Sequence, residues 1–103
     1  MEVIKKGSIE PLLVVLRDRL ENVATLASVT TLQFDTKKKS DNSPIQSNVP
    51  VILDTDFPMT ASCSINTTLA GYVSGEEYKL YIKYTSGGES PVLGPQFFRV
   101  EDD

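Results

Sequence analysis

The chain has 103 residues, 40% of them apolar and 23% charged, which is the make-up of one ordinary globular domain and not of a disordered segment. Its formal charge is −4, and it contains one cysteine, no histidine and no tryptophan. That balance argues against binding to nucleic acid or an anionic membrane, which needs a basic surface; it excludes an internal disulfide, Cys- or His-based zinc sites and catalytic arrangements built on histidine.

Taken in chain order, residues 1–10 are expected as an N-terminal arm, ahead of a single domain over 11–103. The opening Met1-Glu2-Val3-Ile4-Lys5-Lys6-Gly7 lacks the charged-then-apolar order of a secretory signal. The longest apolar run, residues 12–16, is far too short to cross a bilayer. Residues 12–27 admit two readings. Leu13, Leu16, Leu20, Val23 and Ala27 are spaced as one helical stripe, with Ser8 placed to cap it. Leu12-Leu13-Val14-Val15-Leu16 is also a fair buried strand, with a turn over 18–22. The strand-and-turn reading is preferred.

Residues 30–36 predict a strand with Leu32 and Phe34 on one face and Gln33 and Asp35 on the other. The polar stretch 37–47, with Asp41-Asn42-Ser43-Pro44, reads as a loop. Residues 48–53 read as one strand with Val49, Val51 and Leu53 sharing a face. Residues 60–67 read as another, and alternation puts Ala61, Cys63 and Ile65 together; Cys63 is expected as a small buried hydrophobe and not a reactive thiol. The clearest strand is 77–84: Tyr78, Leu80, Ile82 and Tyr84 fall on one face, Lys79, Tyr81 and Lys83 on the other, with Ser74-Gly75 before it and Ser86-Gly87-Gly88 after it. The last strand, about 96–101, groups Gln96, Phe98 and Val100 against Phe97 and Arg99; Pro95 stands at its start, where a missing N–H costs least. Six or seven short strands separated by turn signals predict an all-β sandwich or barrel.

Three stretches carry a family resemblance. The run 12–26, Leu12-Leu13-Val14-Val15-Leu16-Arg17-Asp18-Arg19-Leu20-Glu21-Asn22-Val23-Ala24-Thr25-Leu26, is followed by Thr31-Leu32-Gln33-Phe34-Asp35. Near the end stand Gly75-Glu76-Glu77-Tyr78-Lys79-Leu80-Tyr81 and Gly94-Pro95-Gln96-Phe97-Phe98-Arg99-Val100. Together, over about residues 11–101, they resemble the small immunoglobulin-like domains of tailed-phage structural proteins, among them the N-terminal domains of baseplate upper proteins. Glu21-Asn22 departs from the usual Asn-Gly, and no tryptophan fills the core. The resemblance implies an immunoglobulin-like β-sandwich of about seven antiparallel strands. It also implies a non-enzymatic virion component, assembled in the host cytoplasm, that docks on head, neck or tail proteins or on copies of itself. It carries over no catalytic, metal or cofactor residue.

Other candidates are weaker on chemical grounds. Asp54-Thr55-Asp56 offers two carboxylates for calcium but no third ligand by spacing. Glu76 and Glu77 are adjacent and so point to opposite faces of a strand, and do not pair as acid and base. Lys37-Lys38-Lys39 is expected as a solvated loop, with contact to an acidic partner as the alternative. Asn66-Thr67-Thr68 has the form of a glycosylation acceptor. The expected interface residues are Tyr81 and Phe97, opposite the core faces of the last two strands, joined by Tyr72; the two rings would pair across the hairpin or form a patch that a partner covers. The alternative function is a carbohydrate- or cell-surface-binding module using Tyr72, Tyr81 and Tyr84.

Overall fold

The computed structural model describes residues 1–15, 29–54, 60–86 and 92–102. Among them stand eight strands and no helix: β1 (Glu2–Lys5), β2 (Ile9–Val15), β3 (Val29–Lys38), β4 (Pro44–Pro50), β5 (Ile52–Asp54), β6 (Thr60–Asn66), β7 (Glu77–Ser86) and β8 (Val92–Glu101). They form two sheets, β1-β8-β7-β3-β4 and β2-β6-β5. The fold is all-β, an arrangement consistent with a β-sandwich.

Side chains alternate along a strand, so one face can be buried while the other meets solvent. On β7, Tyr78, Leu80, Ile82 and Tyr84 are buried; on β8, Phe98 and Val100; on β6, Ala61, Cys63 and Ile65; on β2, Leu12 and Val14; on β3, Phe34, with Leu32 packed beside the core. No tryptophan is needed to fill the centre, because Tyr72, Tyr78 and Phe98 do so as one aromatic cluster. Tyr78 stacks on Phe98 at 5.5 Å between centroids, and Tyr72 meets Tyr78 edge-on at 5.0 Å.

Several expectations are corrected. Residues 1–10 are not an arm. β1 pairs in parallel with β8, from Glu2 opposite Phe98 to Lys5 opposite Glu101, and Ile4 joins the core. Ile9 already begins β2. Thr67 pins the turn between them: its hydroxyl donates to the Lys5 and Ser8 carbonyls, and the Ser8 N–H donates to its oxygen. Among the described residues the strands number eight, and one pairing is parallel. The stretch 37–47 is not a loop; β3 continues through Lys38, the turn is short, and β4 starts at Pro44. That turn is closed by the Asp41 carboxylate accepting from the Ser43 N–H, with Asn42 in the left-handed region at φ 61°. Residues 48–53 are not one strand either. The chain leaves the five-stranded sheet after Pro50 and enters the other at Ile52, with the Val51 N–H still donating to the Leu32 carbonyl.

Of the 12–27 alternatives, residues 12–15 are strand, within β2; the expected turn over 18–22 lies outside the described residues. Thr55 and Asp56, two members of the calcium candidate, also lie outside them.

Candidate functional site

The outward faces of β3, β7 and β8 form one surface, and the ladder register sets its rows. In the first, Glu77 faces Arg99 on β8, which faces Val3 on β1. In the second, Lys37 faces Lys79, which faces Phe97. In the third, Asp35 faces Tyr81; in the fourth, Gln33 faces Lys83.

Beyond Tyr81 the β7–β8 register slips. Leu80 faces Gln96 but Ile82 faces Leu93, so Gly94 and Pro95 bulge opposite Tyr81. Gly94 sits at φ +121°, and an added Cβ would lie 2.8 Å from the Leu80 carbonyl oxygen; only glycine fits so close an approach. Phe97 faces Lys79 and not Tyr81, so the two rings are not set directly opposite. Each ring instead carries a lysine: Lys37 Nζ lies 5.8 Å from the Tyr81 centroid and Lys39 Nζ 5.4 Å from that of Phe97. Tyr81 is half-buried and Phe97 is 37% exposed. Both stand on the expected surface, as parts of a mixed aromatic and cationic face.

Tyr72 does not belong to that surface. It is fully buried, because it follows β6 into the aromatic cluster with Tyr78 and Phe98 instead of continuing a strand. Tyr84 is buried as well. Two of the three tyrosines proposed for a sugar platform are thus core residues, and only Tyr81 reaches the surface. A hollow of about 120 Å³ lined by Thr31, Gln33, Lys83, Tyr84 and Thr85 is smaller than the roughly 300–1,000 Å³ of small-molecule pockets.

The carboxylates of the face are already engaged. Glu77 pairs with Lys39 at 2.8 Å and Arg99 at 3.2 Å; Asp35 pairs with Lys83 at 3.1 Å; Glu101 lies 3.4 Å from Arg99. The Lys39 hydrogen bond, with help from Arg99, holds the Glu77 carboxyl below its ordinary pKa. Such a group remains ionised and is a poor proton donor or general base near neutrality. Among the described residues, no three His, Cys, Asp or Glu side chains converge as a metal site would require.

This chain matches no known family model, no curated protein and no solved structure.

The sequence reading missed Leu13 and Ile52. They flank Ser62 in one row of the outer face of the three-stranded sheet and are 62% and 70% exposed. The intervening serine interrupts them, so they do not make a continuous apolar surface. The apolar run hid this, since Leu12 and Val14 turn inward while Leu13 between them turns outward.

Cys63 is fully buried, and burial pushes its thiol from 9.0 up to about 12. Native protein at pH 8 is expected to resist thiol reagents such as iodoacetamide, with labelling following the unfolding transition in urea; rapid labelling without denaturant would refute the buried placement. The linkage runs toward alkaline instability. The unfolded chain ionises first, so this contribution is complete below pH 9.0 and is lost as the pH rises from there toward 12.

Proposed function

We propose that this chain is a non-enzymatic, immunoglobulin-like binding module of a tailed-phage particle, and that it holds other virion proteins through the outer face of β3, β7 and β8. Three observations support the immunoglobulin-like reading. First, β2-β6-β5 follows the order B-E-D, while β8-β7-β3 follows G-F-C with β4 added as C′. Second, Tyr78, at the start of the strand in the F position, turns its hydroxyl back onto the preceding chain. The hydroxyl accepts from the Val73 N–H at 2.5 Å and reaches the Gly71 carbonyl at 3.2 Å, the geometry of a tyrosine corner. Third, buried Leu80 stands two residues further on, where antibody domains place a cysteine, and buried Phe34 lies on the strand that would carry their tryptophan.

The contact mode rests on the sheet edges. β1 has four residues and β5 three; β2 carries Pro11 mid-strand; β4 begins and ends with proline. Short, proline-bearing edges resist strand addition. The broad face between them, with Tyr81, Phe97 and interspersed charges, has the aromatic enrichment of a contact surface. Placement in a virion rests on the sequence motifs. The Gly-Pro of the last motif forms the bulge beside Tyr81, and the acidic-Tyr motif supplies both Glu77 and the tyrosine corner.

The test is a mass-spectrometric inventory of purified particles of the phage that encodes the chain, with crosslinking to locate its neighbours. The chain is expected among the structural proteins, crosslinked through lysines of the β3-β7-β8 face. Particles that lack it would overturn the proposal.

A further inference from the structure

Deepening that reading, we propose that the row Lys37-Lys79-Phe97 is a carboxylate-binding site, and that the partner surface it takes is an acidic protein segment with an apolar residue beside the acid. Lys37 and Lys79 are direct partners across the β3–β7 ladder. Like charges set opposite one another oppose folding, so an anion placed between them would relieve the pair. Neither lysine has a carboxylate partner among the described residues. Lys79 Nζ donates to the Asn42 side-chain oxygen at 2.5 Å, and Lys37 lies over Tyr81. The face's own acids are committed to other cations, Asp35 to Lys83 and Glu77 to Lys39 and Arg99. Phe97 adjoins Lys79 on one side, and Tyr81 lies against Lys37 in the next row, so the uncompensated charge is bordered by two aromatic rings.

The choice of occupant follows from charge. Lys37, Lys39, Lys79, Lys83 and Arg99 against Asp35, Glu77 and Glu101 leave this face at +2, on a chain whose total is −4. A face-to-face copy of the chain would bring two faces of net positive charge together. A phosphate backbone would meet the three interspersed carboxylates and an acidic molecule overall. Discrete carboxylates on a second protein can pair with Lys37 and Lys79 and avoid Asp35 and Glu77, while an adjacent apolar side chain packs on Phe97.

Amide-resolved NMR titration of the whole chain tests this, using a synthetic peptide of alternating glutamate and phenylalanine and its glutamine counterpart. The acidic peptide is expected to shift the resonances of Lys37, Lys79, Tyr81 and Phe97 and to bind about tenfold more tightly than the glutamine peptide, as two such contacts allow. Replacing both lysines, K37Q with K79Q, should abolish that preference and leave the thermal midpoint unchanged or raised, since a like-charge pair is removed; a purely structural role would lower it. Equal binding of the two peptides, or shifts confined to another surface, would refute the site. So would tighter binding of a single-stranded oligonucleotide of the same charge, or a dimer that buries these residues. Absence of the chain from virions would remove the phage placement and leave the site standing, whereas a failed titration removes the site alone.

Discussion

Phe98→Ala is expected to cost about 3–5 kcal/mol of folding stability, as large-to-small changes at packed aromatic positions do. The ring is fully buried, stacked 5.5 Å from Tyr78 and 6.1 Å from Tyr72, and it faces Tyr78 directly across the β7–β8 ladder. Removing it leaves both tyrosines without their central contact, and both are held in place by their hydroxyls, so the cavity cannot readily collapse. Chains of this size hold a total stability of about 5–15 kcal/mol, so the variant should melt roughly 15–30 °C lower, and at the low end of that stability range it will not fold. The adjacent substitution is the control. Phe97→Ala removes a ring that is 37% exposed and covered by Lys39; it should change stability by about 0.5 kcal/mol or less. Urea titration of both variants checks the contrast. A larger loss at 97 than at 98 would mean that the pleat of β8 is assigned to the wrong face.

That contrast shows where the sequence was informative. Residues 77–84 and 96–101 lie in strands whose buried face is written mostly as Tyr, Leu, Ile, Phe and Val at every second position, and the opposite face as Lys, Arg and Glu interspersed with Tyr81 and Phe97. A period of two with that chemistry leaves one way to sit on a core. The same holds for Ala61, Cys63 and Ile65. Where the alternation is blurred, the reading fails for identifiable reasons. At 37–47 the inward position on β4 is Gln46, a polar residue where an apolar one would mark a strand. Across 48–53 the alternation runs on without a break although the chain changes sheets, because which sheet a strand joins is decided by distant partners. β1 is four residues long and is placed by β8, nearly a hundred residues away in sequence.

The candidate face was legible only in part. Tyr81 and Phe97 follow from alternation, since they oppose core residues on their own strands. Their neighbours do not: the Lys37–Lys79 opposition depends on the β3–β7 register, which no local pattern encodes. Tyr72 was misplaced for the complementary reason. It lies between β6 and β7, outside any periodic run, and its burial is dictated by Tyr78 and Phe98 packing against it. A polar buried cluster around it gives no sequence signal at all.

That cluster sets the second large effect. Gln46 Oε1 is an acceptor only, so the Tyr72 hydroxyl must donate to it, at 2.5 Å. Having spent its one proton, Tyr72 accepts from the Thr36 hydroxyl at 2.6 Å, and the Thr36 oxygen accepts from the Gln46 N–H at 3.1 Å. The other end of Gln46 spans the sheets: its amide donates to the Ser64 carbonyl and its oxygen accepts from the Asn66 N–H, each at 3.3 Å. Thr36 and Tyr72 are fully buried and Gln46 nearly so, so a broken link leaves a desolvated group unpaired. Tyr72→Phe keeps the ring and removes only the oxygen; it should cost about 1–3 kcal/mol, because the Thr36 proton loses its acceptor and Gln46 loses its shortest contact. Adding Thr36→Val removes one of those orphaned groups along with its partner, so the double variant should lose less than the sum of the singles, with a coupling of about 0.5–3 kcal/mol. Chemical denaturation of the two singles and the double closes the cycle. Strict additivity would show that Thr36 and Tyr72 do not act as one network.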